Sequence, residues 1–194
     1  FVPVDKNIEC FDVSKKQPIK DLFYAMSHGV NRATLKKGKS DSRIHFLNSL
    51  IKKLENIDYD FYGFQNKEPI WGNDFYQALN NSKMGLNLSR GLPTKYYTSN
   101  RIASLMGNGI LIFIDEKTKF QDFFKNGEII TYKNEIDLIN KLLSIKDDKK
   151  ELIKRAKLAK KNYFKYFENT IISDFIISKT FNIKNKYKYI WDNK

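Results

Sequence analysis

The sequence predicts an α/β domain with a mostly parallel sheet covered by helices on both faces. Extended segments alternate with helix-length segments along most of the chain, which is typical of βαβ units. The segment Ile110–Ile114 is apolar without alternation, as expected of a strand that is buried on both faces. The length of 194 residues, 41% of them hydrophobic and 29% charged, suits one domain with a proper core.

The first predicted unit runs from a strand at Asp21–Met26 through a polar loop to a helix. The loop is rich in Gly, Asn and Lys and ends at Asp41. Ser42 is predicted as the N-cap, since a serine hydroxyl accepts a hydrogen bond from the unpaired N–H groups of a first helical turn. The helix itself is indicated by apolar residues at three- and four-residue spacing: Ile44, Leu47, Ile51 and Leu54.

Two further strands follow, with a short helix between them. Tyr59–Tyr62 is predicted as the second strand and is closed by Gly63. A helix is predicted from about residue 73 to 81, and Met84–Leu88 is predicted as the third strand. The same order of strand and helix therefore continues through the first half of the chain.

The next units lead to the C-terminal half of the predicted sheet. A helix from about Asn100 to Gly107 precedes the apolar fourth strand, and glycines at its end turn the chain. Glu128–Tyr132 is predicted as the fifth strand, and Asn134 as the cap of the following helix. Four apolar residues are predicted on the inner face of that helix: Ile136, Ile139, Leu142 and Leu143.

A long helix is predicted from Asp148 to Phe167. Its apolar face is predicted to comprise Leu152, Ala156, Ala159 and Tyr163. Its basic face carries Lys150, Lys154, Lys157 and Lys161. A solvated face on a packed helix is the favoured interpretation, and contact with a membrane surface is the alternative. We expect residues 1–167 to form the domain and residues 168–194 to form a helical C-terminal extension.

The formal net charge of +13 is the one compositional outlier, with 35 Lys and Arg against 22 Asp and Glu. Such an excess suits an anionic partner, which is a nucleic acid, a phospholipid surface or a phosphorylated substrate. An AT-rich coding background explains it equally well, because much of the excess is Lys beside abundant Asn and Ile. Composition alone does not choose among these explanations.

Cysteine content and apolar run length narrow the class of protein. The single cysteine, Cys10, excludes an internal disulfide framework and fits a reducing cytosol. One Cys and two His supply zinc ligation poorly, so no metal is expected. No apolar run is long enough to span a bilayer. The chain opens at Phe1 without a cationic segment before an apolar stretch, so we expect a piece of a longer polypeptide without a secretory signal.

Polar residues that follow the predicted strands mark a candidate ligand site. In an open parallel sheet, ligands bind beyond the carboxyl ends of the strands, where helix N-termini converge. Arginine forks and helix N–H groups suit phosphate oxygens, and Phe64 or Tyr97 offers a face to a base. Ser99 as a simple helix cap and Arg101 as a structural residue are the alternatives. The candidate residues are Ser27, Gly29, Arg32, Arg43, Phe64, Gln65, Ser89, Arg90, Ser99, Asn100 and Arg101.

The predicted ligand is therefore phosphorylated and bears a nucleotide. Neither a Walker A loop nor a G-x-G-x-x-G fingerprint is present, which disfavours ordinary ATPases and dehydrogenases. Nucleic-acid binding is an alternative suggested by the charge and by 15 Phe and 11 Tyr. It is weakened because many aromatic residues lie in predicted strands and helix faces, and because no aromatic and basic RNA-binding signature is present.

Five motifs between residues 75 and 128 carry a family resemblance: Ala78–Leu79, Lys83–Arg90, Thr98–Arg101, Gly109–Ile112 and Phe124–Gly127. This region resembles the C-terminal domain of group 1 glycosyltransferases of the GT-B type, in the branch related to the spore-maturation protein CgeB. The resemblance extends over roughly residues 1–165, and the opening Phe1–Asp5 is similar to the interdomain junction of such enzymes. It implies a Rossmann-like domain that forms the C-terminal half of a GT-B fold.

The resemblance also implies an activity, which is transfer of a sugar from a nucleoside-diphosphate sugar to a glycan or lipid-linked acceptor. Phosphate contacts would fall on Ser27, Gly29, Arg32 and Arg43, and on Ser99, Asn100 and Arg101 at a helix N-terminus. Phe64 and Gln65 would lie near the base. No metal or other cofactor is implied. The acceptor and any general base would come from an absent N-terminal domain, so this fragment alone is expected to be inactive.

One departure from the family pattern concerns Ser104. Many relatives carry an acidic residue about three positions after the Ser-Asn-Arg arginine, at the position that Ser104 occupies here. A degenerate, non-catalytic interaction domain is therefore the main alternative to a transferase. The setting implied by the resemblance is cell envelope polysaccharide biosynthesis, in the cytoplasm, with peripheral contact at the inner membrane face.

Overall fold

Five parallel strands form one sheet in a computed structural model that describes residues 1–12, 15–27, 41–125 and 127–192. The strands are β1 (Lys20–Ala25), β2 (Tyr59–Tyr62), β3 (Ser82–Asn87), β4 (Leu111–Asp115) and β5 (Ile130–Tyr132). Their spatial order is β2-β1-β3-β4-β5, and every neighbouring pair is parallel. This confirms the predicted fold class.

In the part of the chain that the structure describes, six α-helices connect and cover the strands. They are α1 (Ser42–Ile51), α2 (Gly72–Asn80), α3 (Asn100–Gly107), α4 (Glu135–Ile145), α5 (Lys149–Phe167) and α6 (Asn169–Phe181). Two short 3-10 turns follow β4. Among the described residues, no helix is both long and apolar enough to cross a membrane. The predicted bounds of β2 and α3 match the structure, and most other bounds differ by one or two residues.

The sheet divides the core into two apolar layers because successive strand side chains point to opposite faces. In β1, Leu22 and Tyr24 join a cluster with α1 and α4, whereas Phe23 joins a cluster with α2 and α3. Helix α5 contributes Ala156 to the first cluster and Ala159 to the second. The carboxyl ends of the strands are thus left between helix N-termini.

Two local predictions are corrected by the structure. The N-cap of α1 is Asp41 rather than Ser42, because the Asp41 carboxylate accepts a hydrogen bond from the Arg43 N–H at 3.0 Å. On α4 the buried residues are Leu138, Leu142 and Ile145, one face of the helix that packs against the sheet and α5. Ile139 is partly buried, whereas Ile136 and Leu143, both predicted inward, are exposed.

The C-terminal helices pack back on the start of the chain. Leu152, Ala156, Ala159 and Tyr163 of α5 are buried as predicted, and all four lysines of its basic face are exposed. Val4 pairs with Glu168 at the junction of α5 and α6. Beyond α6 the chain returns, and Trp191 stacks on Phe167 with ring centroids 5.8 Å apart. Helix α6 covers Asn169–Phe181 of the predicted extension, and the described residues after it, 182–192, contain no further helix.

Candidate ligand-binding cleft

A cleft of about 470 Å³ lies beyond the carboxyl ends of β1 and β3, at the N-termini of α2 and α3. Six of the predicted site residues line it: Ser27, Arg43, Ser99, Asn100, Arg101 and Ser104. The remaining walls are largely aromatic. The structure thus brings together residues from β1, α1 and α3 that are far apart in sequence.

Arg101 links the ends of β1 and β3 at the base of the cleft. Its Nε donates to the carbonyl oxygen of Ala25 at 2.8 Å, and its Nη1 donates to Asn87 Oδ1 and to the Leu88 carbonyl, both at 3.3 Å. The guanidinium carbon lies 4.6 Å from the centre of the Tyr24 ring. Burial lowers the pKa of Arg101, and the group still carries its charge at neutral pH because arginine titrates far above 7.

Arg43 is the second cation of the cleft and is held by an ion pair. Its Nη2 lies 2.6 Å from Asp41 Oδ2, and its Nε donates to both carboxylate oxygens of Asp41. Burial acts to lower the pKa of Arg43, but the hydrogen bonds to Asp41 and Tyr24 outweigh it, so the pKa is raised. Because Asp41 also caps α1, the ion pair fixes the arginine relative to that helix.

The N-terminus of α3 faces the cleft through Ser99 and Asn100. Ser99 Oγ caps the helix by accepting from the Ile102 N–H at 3.4 Å, and it donates to Asn87 Oδ1 at 3.2 Å. Asn87 Nδ2 and Ser89 Oγ are buried and have no hydrogen-bond partner among the described residues. Unpaired buried polar atoms are uncommon, and here two of them lie where β3 ends near the cleft.

Aromatic side chains form the wall of the cleft nearest to α2. Trp71 immediately precedes α2, has no side-chain capping bond and is 65% exposed. Phe75, Tyr76 and Tyr97 also line the cleft and are half-buried. An exposed indole beside two arginines offers a flat apolar surface next to positive charge. The sequence prediction included Tyr97 but missed Trp71 and Tyr76, although their position at the start of a helix after β2 was a usable signal.

Ser104 and Tyr76 both line the cleft, and the Ser104 side chain acts to lower the pKa of the Tyr76 hydroxyl. Burial raises the pKa of Tyr76, and the nearby Glu9 carboxylate acts in the same direction. Burial likewise raises the pKa of Glu9 itself, which is 7% exposed. This part of the cleft therefore presents the two neutral hydroxyl groups of Ser104 and Tyr76.

Six other predicted site residues do not line this cleft or lie outside the described chain. Phe64 is 4% exposed and packs in the core, and Gln65 hydrogen-bonds Asn48, so both belong to the outer side of β2. Ser89 is half-buried and Arg90 is exposed on the loop after β3. The predictions for Gly29 and Arg32 fall outside the described residues.

A second cavity, of about 490 Å³, lies at the opposite edge of the sheet, where β1 and β3 begin. Lys16 lines it, is 6% exposed and donates to the Asn108 carbonyl at 3.0 Å. Burial lowers the pKa of Lys16 to about 7, and the charge of Lys160 acts in the same direction. This cavity lies at the amino ends of the strands, whereas ligands of an open parallel sheet bind beyond the carboxyl ends.

The parallel sheet, the helices on both faces and the cleft at the carboxyl ends define a Rossmann-like domain of the GT-B type. The family model described as "Glycosyl transferase-like" matches residues 41–170, which is more than half of the chain. The chain therefore belongs to this glycosyl transferase-like family. No curated protein matches the sequence.

Solved structures share the fold. TarM superposes with a TM-score of 0.59 at 14% identity, covering 87% of this chain and 36% of that one. Sucrose-phosphate synthase from Thermosynechococcus elongatus gives a TM-score of 0.55 at 11% identity, covering 94% of this chain and 49% of that one. At such identities the likeness concerns the fold alone. The chain spans less than half the length of either structure.

Proposed function

We propose that this chain is the donor-binding domain of a glycosyltransferase and that its cleft binds a nucleoside-diphosphate sugar. The observation that carries the proposal is the convergence of Arg43, Arg101 and the N-terminus of α3 on one cleft. Two guanidinium groups and a helix N-terminus together suit a diphosphate, which carries at least two negative charges. Membership of a glycosyl transferase-like family supports the choice of a sugar nucleotide.

Arg101 has one nitrogen to offer to a phosphate oxygen. Its Nε and Nη1 are bound to backbone and Asn87 oxygens, whereas Nη2 forms no hydrogen bond with the described residues. A guanidinium held in this way loses little conformational entropy when it binds a ligand. The orphaned amide hydrogens of Asn87 are a further donor group near the same point.

The nucleobase is assigned to the aromatic wall. Stacking on Trp71 would bury an indole that is 65% exposed, and base stacking on an aromatic ring contributes about 1–3 kcal/mol. Tyr97, which also lines the cleft, is the second candidate face. Phe64, the residue favoured by the sequence pattern, is buried in the core and offers no such surface.

In this proposal the domain acts on the leaving group. Positive groups fixed around the diphosphate stabilise the negative charge that grows as the sugar leaves, and their preorganisation avoids reorganisation cost during the reaction. The scheme requires no metal ion. The acceptor, a glycan or lipid-linked sugar, and any general base would be supplied by an N-terminal domain, so the fragment alone is expected to bind donor and to transfer nothing.

The kinship to the CgeB-like branch and a role in building cell-envelope polysaccharide in the cytoplasm are part of the same proposal. The runner-up is a degenerate domain of this family that binds no sugar nucleotide. The specific observation in its favour is Ser104, whose neutral hydroxyl lines the cleft together with Tyr76 at the position where the resemblance implies a carboxylate.

Titration calorimetry of the chain with UDP, GDP, ADP and dTDP, at low and moderate salt, tests the proposal. We expect selective binding of one diphosphate, and about tenfold weaker binding after Trp71→Ala, which corresponds to about 1.4 kcal/mol. Arg101→Lys is expected to weaken binding because the planar fork is lost. Arg90→Ala removes a whole positive charge outside the cleft and is the control, since it should weaken binding less than Arg101→Lys, which keeps the charge.

Two outcomes would contradict the proposal. If none of the four diphosphates binds while the chain remains folded, the degenerate domain becomes the better description. If Arg90→Ala weakens binding as much as Arg101→Lys, the affinity comes from the general positive charge and not from the cleft. Steeply salt-dependent binding to random RNA, with no selective binding of a diphosphate, would instead support nucleic-acid binding.

A further inference from the structure

Asn87, the last residue of β3, connects two groups of the cleft through one amide oxygen. Its Oδ1 accepts a hydrogen bond from Ser99 Oγ at 3.2 Å and another from Arg101 Nη1 at 3.3 Å. Ser99 caps α3, and Arg101 lies in the first turn of the same helix. Because Asn87 is 1% exposed and pairs with Ile114 of β4, it fixes both groups to the sheet.

The orientation of the Asn87 amide follows from its neighbours. A guanidinium group only donates hydrogen bonds, so the amide atom that faces Arg101 must be the oxygen. The amide nitrogen Nδ2 lies on the other side, where it is buried and has no hydrogen-bond partner among the described residues. A buried donor without a partner lowers the stability of a fold. Stability alone therefore does not explain why this position holds an asparagine.

A carboxylate at this position would hold the same two donors. Its oxygen would accept from Ser99 and Arg101, and a hydrogen bond between two charged groups is stronger than one to a neutral amide. Negative charge is also favourable near the N-terminus of α3. What a carboxylate would remove is the free positive charge of Arg101, because the resulting ion pair is neutral.

No carboxylate among the described residues forms an ion pair with Arg101. Its three acceptors are all neutral oxygen atoms, one of the Asn87 amide and two of the backbone. Arg43, the other arginine of the cleft, is paired with Asp41. The two cations thus differ, and a half-buried cation without a counter-ion favours the binding of an anion.

We propose that Asn87 is the positioning residue of the part of the cleft around Arg101 and the N-terminus of α3, which we call the anion site. Its amide oxygen orients Arg101 and the cap of α3, and the neutrality of the amide leaves the charge of Arg101 available to a phosphoryl group. This inference rests on the proposed function, since it takes a phosphate as the ligand of Arg101. It concerns the anionic part of that ligand and not the base or the sugar.

Calorimetric titration of the 194-residue chain with inorganic pyrophosphate tests the proposal, because this probe has neither base nor sugar. The unsubstituted chain is expected to bind it. Asn87→Asp is expected to weaken binding at least about tenfold, because the introduced carboxylate pairs with Arg101. The melting temperature is expected to change by less than about 5 °C, because both hydrogen bonds are kept.

Asn81→Asp is the matched control for the change in charge. Asn81 is exposed and immediately precedes β3, so it lies about 20 Å from Asn87 along the same strand. The control is expected to weaken pyrophosphate binding less than about twofold, because salt screens a charge at that distance. Equal weakening by both substitutions would show that affinity follows net charge and would overturn the proposal.

Asn87→Leu separates orientation from charge. Leucine is similar to asparagine in size and removes the acceptor, while Arg101 keeps its charge. Pyrophosphate binding is expected to weaken at least about fivefold, because Arg101 and the cap of α3 lose their common anchor and binding must then order them. A purely structural role of Asn87 predicts instead that Asn87→Asp, which keeps the hydrogen bonds, binds like the unsubstituted chain.

Four further outcomes would overturn the proposal. Three are absence of pyrophosphate binding by the folded unsubstituted chain, unchanged binding by folded Asn87→Asp, and unchanged binding by folded Asn87→Leu. The fourth is failure of both variants to fold in thermal melting, which would show that the fold itself requires Asn87. If one variant alone fails to fold, the binding of the other decides.

Failure of this inference is distinguishable from failure of the proposed function. Pyrophosphate binding that Asn87→Asp weakens, without selective binding of any nucleoside diphosphate, would support the positioning role and refute the proposed function. Selective binding of a nucleoside diphosphate that Asn87→Asp leaves unchanged would support the proposed function and refute the positioning role.

Discussion

Replacing Arg101 by alanine tests whether the floor of the cleft is also a structural joint. The side chain links the end of β1 to the end of β3 through one hydrogen bond of 2.8 Å and two of 3.3 Å. It also lies 4.6 Å from the Tyr24 ring. Its removal leaves the carbonyl oxygens of Ala25 and Leu88 without this donor inside the protein.

The size of the effect follows from these contacts. A hydrogen bond from a charged group contributes about 1.5–3 kcal/mol, and the two longer bonds contribute less than the short one. A desolvated cation–π contact adds about 1–2 kcal/mol, and the terms are not additive because one side chain makes them all. We expect Arg101→Ala to lower the free energy of unfolding by about 3 kcal/mol, which lowers Tm by about 6–12 °C.

Urea denaturation and thermal melting at neutral pH measure this loss. Arg90→Ala, which removes an exposed arginine from the neighbouring loop, is expected to change the free energy of unfolding by less than about 0.5 kcal/mol. A loss below about 1 kcal/mol for Arg101→Ala would refute the reasoning, since the buried carbonyl groups would then have found other partners. An unchanged m-value is required for either conclusion.

Three other substitutions test local features of the fold. Gly63→Ala is expected to destabilise by at least about 3 kcal/mol in urea denaturation, because φ is 73° and a Cβ would lie 2.0 Å from the Met26 carbonyl oxygen; an effect below about 1 kcal/mol contradicts this. Leu142→Ala is expected to cost about 2–5 kcal/mol and Leu143→Ala less than about 0.5, and equal losses would disprove the corrected face of α4. The pKa of Lys16 is about 7 in the folded chain against 10.5 for the ordinary side chain, so the unfolded chain binds the extra proton between these values and stability rises with pH there. Lys16→Met should remove this rise in a pH series of melts, and an unchanged slope would contradict the assignment.

The architecture followed from local patterns in the sequence. The continuous apolar run of β4 and the alternating order of strands and helices require burial on both faces, and only a parallel sheet covered by helices provides it. Helix ends were predicted where one residue type satisfies the first N–H groups, as Asn134 and Ser99 do. At α1 the sequence predicted Ser42 as the cap, whereas in the structure the Asp41 carboxylate accepts from the Arg43 N–H and also pairs with the Arg43 side chain.

The candidate cleft was predicted in part, from the rule that ligands bind beyond the carboxyl ends of strands. Polar residues at those ends, such as Arg101 and Ser99, were recognised from the sequence because packing in an apolar core seldom explains a charged or hydroxyl side chain at such a position. The same rule could not distinguish aromatic residues of the cleft from aromatic residues of the core. Phe64 and Trp71 both lie in loops after β2, yet the first is 4% exposed and the second 65%.

The sequence by itself determined the class of fold, the order of its elements and the edge of the sheet at which polar groups gather. These features depend on the spacing of apolar and polar residues along the chain, because each type of element buries side chains at its own regular spacing. The tertiary structure alone decided which side chains meet. Arg101 bonds to Ala25, 76 residues away, and Asp174 fixes the turn that exposes Phe181. Such contacts depend on how distant elements pack, and no pattern within one element specifies them.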